Sequence, residues 1–289
     1  MLQNDEELDG RRTRTGGVDM PHRLIASIVT PVAMLIFSAV VLAQASRPEQ
    51  SRAPNRPPGA APRRDLSGIW DASGAGVHPL GFSHLRPALT PLGEKMFRAN
   101  KPGRGITEVP VGLTNDPLDS CDPAGFPRSN LFELRAVQIV QTSNQVLLLY
   151  EYQRVWRVIW TDGRPLPKDP DPTLYGYSVG KWVDDTTFVA ETVGLEEKTW
   201  LDNSGDPHSN DLRVEERFHR VDRDTLDLTV TIDDPKVYTK PWVAGDKVSL
   251  KLQPPDREIN EMFCVATEME AYKKLMANPA AQKPTSTER

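Results

Sequence analysis

The sequence has little of what metal enzymes, nucleotide enzymes and nucleic-acid binders use. Its 289 residues include two cysteines and five histidines, with no Cys-x-x-Cys or His-x-x-x-His spacing to hold a metal ion. No metal site is expected; one would have to draw on His78, His84, His208 and His219. No Gly-x-Ser-x-Gly segment occurs, which removes the nucleophile elbow of the serine hydrolases. The glycines near Gly74 and Gly76 lack the lysine and the strand-to-helix setting of a phosphate loop, so no cofactor is implied. Positive charge does not predominate either, since 35 Lys and Arg face 40 Asp and Glu. That balance leaves no footprint for nucleic acid as a partner.

The one long uncharged run lies at residues 24–45, after Arg23, and ends on Ala43-Gln44-Ala45. Its most apolar part, residues 33–42, has the length of a signal-peptide core and falls short of the roughly 20 residues a spanning helix needs. Residues 1–45 are therefore expected to be a cleaved leader, with Met20 as the true start because Asp5, Glu6, Glu7 and Asp9 spoil the earlier n-region. A retained anchor is the alternative, and only then would a membrane be a partner. The expected location is periplasmic or secreted. Removing the leader leaves 31 basic and 35 acidic side chains.

Residues 46–64 carry five arginines and five prolines and read as a semi-rigid linker. Residues 65–276 are long enough for one domain, and residues 277–289 read as a disordered tail. Cys121 and Cys264 either pair, as an oxidising compartment favours, or remain buried thiols. In the chain-entropy picture a bridge closing so long a loop contributes roughly 4 to 5 kcal/mol.

Strand signals fall at residues 66–70, 135–142, 145–152, 154–160, 177–183, 186–193, 212–221, 225–233 and 248–252, separated by turn residues such as Ser143-Asn144 and Asp184-Asp185. Leu226, Leu228, Val230 and Ile232 alternate with polar residues, the pattern of a strand buried on one face. The short connections predict antiparallel hairpins closed as a barrel, with a sandwich as the alternative. Thr90-Pro91 should start a helix with Leu92, Met96 and Ala99 on one face, ended by Pro102. Met262, Val265, Met269, Tyr272 and Met276 predict a terminal helix on the sheet. Residues 101–130 read as a long ordered loop if Cys121 staples it.

Residues 200–219 form the densest polar constellation. On the strand beginning at Leu212, Glu216 shares an apolar face with Val214 and Phe218 and must be paired or shift its pKa. Arg220, two positions along that same face, is its expected partner. A catalytic reading makes Glu216 a general acid or base, with His208 nearby and Asp202 orienting the imidazole. Trp156, Trp160, Tyr177 and Trp200, with Arg217, form the candidate ligand-binding set, since such rings line apolar pockets or stack on sugar faces.

Gly68-Ile69-Trp70 resembles the Gly-x-Trp start of lipocalin-like (calycin) barrels, whose Trp plugs the closed end and whose lumen holds a small ligand. The chain departs from that pattern in its length and its large early loop. Asp65-Leu66-Ser67-Gly68-Ile69-Trp70, Asp162-Gly163-Arg164-Pro165, Ser178-Val179-Gly180-Lys181-Trp182, Thr199-Trp200-Leu201-Asp202, Pro207-His208-Ser209 and Asp233-Asp234-Pro235 also resemble motifs of a family of secreted bacterial proteins of unknown function. That resemblance implies a location and no mechanism. The expectation is thus a mainly β, lipocalin-like barrel with short flanking helices that binds a small apolar or aromatic ligand. The alternatives are a hydrolase or lyase using Asp202, His208 and Glu216, and an interaction module on a tether. Oligomeric state is left open.

Overall fold

The computed structural model describes residues 59–72, 85–131 and 134–277. The expected leader, most of the linker, His78, His84 and the tail beyond Ala277 lie outside them. Nine strands close into a barrel in chain order: β1 (Gly68–Asp71), β2 (Ala136–Gln141), β3 (Gln145–Tyr150), β4 (Trp156–Trp160), β5 (Tyr177–Trp182), β6 (Thr187–Val193), β7 (Arg213–Arg220), β8 (Thr225–Asp233) and β9 (Trp242–Leu252). β1 seals the barrel through Trp70↔Leu252 and Asp71↔Lys251.

One junction departs from the antiparallel expectation. β4 and β5 run parallel, in register at only Ile159↔Ser178 and Trp160↔Val179. Two strands joined by a hairpin cannot be parallel, and here residues 161–176 travel back along the barrel before β5 begins. Elsewhere in the wall the pairing is antiparallel.

Period two then decides what faces in. Ile139, Leu148, Ile159, Phe188, Phe218, Leu228 and Val230 are buried in one apolar cluster. β5 keeps Gly180 on this inward face because a Cβ there would sit 2.4 Å from Phe188 Cζ. Trp70 of the Gly-x-Trp start is buried, donates from Nε1 to the Leu66 carbonyl at 2.9 Å and lies under the Arg220 guanidinium, 4.6 Å from its ring centroid.

Helix α1 (Pro91–Ala99) starts as expected, with Thr90 Oγ1 accepting from Gly93 N at 3.1 Å. Its buried side differs: Gly93 and Phe97 face the barrel while Leu92 is exposed. A Cβ on Gly93 would lie 2.4 Å from the Val237 carbonyl oxygen, so the helix docks closer than any side chain at that position allows.

The early loop plugs the barrel. Residues 124–131, ending in helix α2 (Arg128–Leu131), are buried without a break. Arg128 holds them through a buried two-point ion pair with Asp116, both bonds 2.8 Å. Cys121 and Cys264 are bonded, with Cα atoms 5.3 Å apart. The terminal helix α3 (Ala266–Tyr272) contributes no buried residue and packs on the 3-10 turn Pro117–Ser120, a correction to its expected place on the sheet. The end of the expected linker also lies on the barrel, where Arg63 and Arg64 pair with Asp185.

Candidate functional site

Glu216 is fully buried, on the inward face that its neighbours dictate. Its partner is not Arg220, whose guanidinium donates instead to the backbone carbonyls of Asp65, Asp222 and Arg223. Arg157 of β4 reaches across the lumen, with Nη2 2.5 Å from Oε2 and Nη1 3.1 Å from Oε1. Asn130 of the plug donates to Oε1 at 2.5 Å, and Tyr150 donates to Asn130 Oδ1 at 2.7 Å. Arg157 Nη2 also reaches Ser178 Oγ and Thr192 Oγ1, each at 3.2 Å, and its guanidinium lies 3.7 Å from the Phe126 ring centroid. Burial pulls the guanidinium toward its neutral form and Glu216 more than offsets that. Burial likewise pushes the Tyr150 phenol up to about 12. Three donors therefore occupy the carboxylate, and the network joins β3, β4, β5, β6, β7 and the plug.

The loop at residues 199–209 is a second, separate network. His208 is fully buried, and its Nδ1 lies 3.2 Å from the Ser209 carbonyl, which can only accept. Nδ1 therefore carries the proton, and Nε2 accepts from Thr199 Oγ1 at 2.8 Å. Burial holds this imidazole below its ordinary pKa. Asp202 Oδ1 accepts from Ser204 N at 2.9 Å and Asp206 N at 3.1 Å. Asp206 is perturbed in the other direction: burial, then the charge of Asp202, pushes its carboxyl up to about 8 despite Arg86 Nε 2.5 Å away. Ser209 gives both its N–H and its hydroxyl to Asp234. Asp202 and His208 thus share a loop without sharing a bond to each other in these pairs, and Glu216 belongs to the other network. Trp200 is buried in the same loop.

Three of the aromatic candidates do converge, on the outside of the wall. Arg157 and Ile159 face the lumen, so Trp156, Val158 and Trp160 face out. Past the two paired positions the β4 and β5 ladder opens, leaving a cleft of about 250 Å³ lined by Trp156, Trp160, Tyr175 and Tyr177, with Arg157 and Ser178 beneath. Trp156 is 63% exposed. Trp160 is backed by the Arg164 guanidinium 3.8 Å from its centroid. Asp162 holds Arg164 from both oxygens, and Arg164 Nη1 donates to Tyr177 Oη at 3.2 Å. Arg217 lies elsewhere, facing out from β7 near Glu215.

Sequence reasoning missed Arg157 and Arg164. Asp162-Gly163-Arg164 carried a usable signal for the second, because an Asp two residues before an Arg across a glycine turn can clasp its guanidinium. A larger, polar groove of about 840 Å³ lies where residues 166–172 meet Arg213, Asp233 and Lys236. Among the described residues no group of three His, Cys, Asp or Glu side chains could hold a metal ion, and no described helix is long and apolar enough to cross a membrane. Comparison with family models, with curated proteins and with solved structures returns no match.

Proposed function

We propose that this chain is an exported binding protein and that it takes a small ligand with an apolar or aromatic face. The ligand binds at the outer seam between β4 and β5, and not in the lumen of lipocalin-like barrels, whose inward positions here carry packed side chains and the Arg157–Glu216 pair. The observation that carries this reading is the convergence of Trp156, Trp160 and Tyr177 on one cleft, with an indole left 63% exposed beside it. Exposed aromatic area on a domain with a filled core is unfavourable unless something covers it. Export is supported by the leader-like run at residues 24–45 and by the disulfide.

Titration with anilinonaphthalene sulfonate, followed by its fluorescence, tests the site. The dye should bind the native protein, and Trp156→Ala should remove that binding while the unfolding midpoint stays put. Undiminished dye binding in the variant would place the site elsewhere. Amino-terminal sequencing of the protein from the extracytoplasmic fraction tests export, with Ser46 expected first.

A further inference from the structure

We infer that the seam takes a carbohydrate chain, lying along the outside of β4 from Trp156 to Trp160. This rests on the seam being a ligand site and adds the ligand's class. The spacing is the first argument. Residues i and i+4 of a strand lie about 13 Å apart at Cα, so the two indoles form a row along β4 that is longer than a single sugar ring. A straight chain of rings can touch both.

The outer wall around the two indoles, on the β3 side of the cleft, is apolar. Val158 stands between them, and Leu147 and Leu149 of β3 oppose Val158 and Trp156 in register. All three are only half-buried and lie outside the core cluster. The cleft is also open and small, about 250 Å³, below the roughly 300 to 1,000 Å³ of pockets that enclose their ligands. A wholly apolar ligand gains most from enclosure. A pyranose ring gains from a one-sided site, because its C–H face stacks on an indole while its hydroxyls stay in water.

The rim suits those hydroxyls. Tyr177 Oη, the Asp162–Arg164 clasp and Gln145, which opposes Trp160 in register, stand at the Trp160 end. The charges there are matched: Asp162 offsets Arg164 and Glu216 offsets Arg157. With both seam arginines paired, nothing in these two pairs favours a polyanion such as a nucleic acid over a neutral sugar. The two indoles divide the work. Arg164 fixes Trp160 from behind, and Trp156 is free to settle on the bound chain. A β-1,4-linked glycan is the matching geometry, because its extended chain runs straight, like the strand beneath it.

The test is calorimetric titration with β-1,4-linked glucose and N-acetylglucosamine oligosaccharides of two to six rings, alongside the dye. Affinity should rise with chain length and then level once both indoles are spanned. Trp156→Ala should weaken the six-ring ligand about tenfold and flatten the dependence on length. Binding that is indifferent to length or to Trp156 overturns the inference. If no oligosaccharide binds or displaces a dye that Trp156→Ala does abolish, the carbohydrate class is wrong and the seam stands. If the dye also ignores Trp156, the seam itself falls.

Discussion

Between β3 and β4 the outward positions are Gln145, Leu147, Leu149, Trp156, Val158 and Trp160, one polar residue among five apolar ones, whereas between β7 and β8 they include Arg213, Glu215, Arg217, His219, Asp227, Thr229 and Asp233. The inward faces of the same strands are alike: Val146, Leu148 and Ile159 on one side, Val214, Phe218, Leu228 and Val230 on the other. Closing the barrel therefore demands an apolar inside and nothing of the outside, as β7 and β8 demonstrate. The apolar outside of β3 and β4 is not demanded by closure, and the ligand contact proposed above would account for it.

The two halves are joined by Arg157 of β4 and Glu216 of β7, and breaking that link has the largest expected effect. Glu216→Ala leaves a buried guanidinium unpaired and should cost about 3 to 5 kcal/mol in urea unfolding. Glu215→Ala, one residue away but facing out, should cost under about 1 kcal/mol. Similar losses would contradict the division into inside and outside.

The charged half sharpens the comparison through pH. The loop at residues 199–209 leads into β7, and Asp206 in it titrates near 8 when folded. A folded pKa raised above the unfolded one means that the folded state holds the extra proton from about pH 4 to about pH 8. Stability from this group is full below that window and is lost as pH rises through it, at up to about 1.4 kcal/mol per pH unit. Asp206→Asn mimics the protonated acid and should remove that slope. Unfolding midpoints of both proteins at pH 4.5, 6 and 8 decide it: parallel trends would mean that Asp206 is ionised throughout. The smallest effect is expected outside: Trp156→Ala and Arg217→Ala should each change stability by under about 0.5 kcal/mol, with ligand affinity falling in the first alone.

Much of this fold was legible. The alternation in Leu226, Leu228, Val230 and Ile232 and the turn residues between runs are local signals, and eight of the nine strands sit where those signals fall; β9 begins at Trp242, six residues before the expected 248–252. The burial of Glu216 was legible too, from Val214 and Phe218 beside it. Its partner was not, because Arg157 and Glu216 are 59 residues apart and meet only when the barrel closes. β4 also inverts the usual rule. Trp-Arg-Val-Ile-Trp presents three apolar residues on one face and Arg with Ile on the other, so hydrophobicity alone sends the indoles inward. The charge waiting on β7 reverses that choice. The parallel seam was hidden for a related reason: residues 161–176 hold no periodic pattern, and their path back along the barrel sets the direction of β5. The long early loop was visible as a loop, but its burial depends on Arg128 meeting Asp116 and on Asn130 meeting Glu216.

The Cys121–Cys264 bond closes a covalent ring, with a sequence separation of 143 residues, around β2 to β9 and leaves β1 outside it. Tension on the two chain ends would then pass from one cysteine to the other and bypass the strands within the ring. Pulled by its termini, the oxidised protein should shed β1 and lengthen by the residues outside the ring alone, and a reductant should release the rest as extra contour length. A barrel held at one end would in this way keep most of its strands out of the line of force.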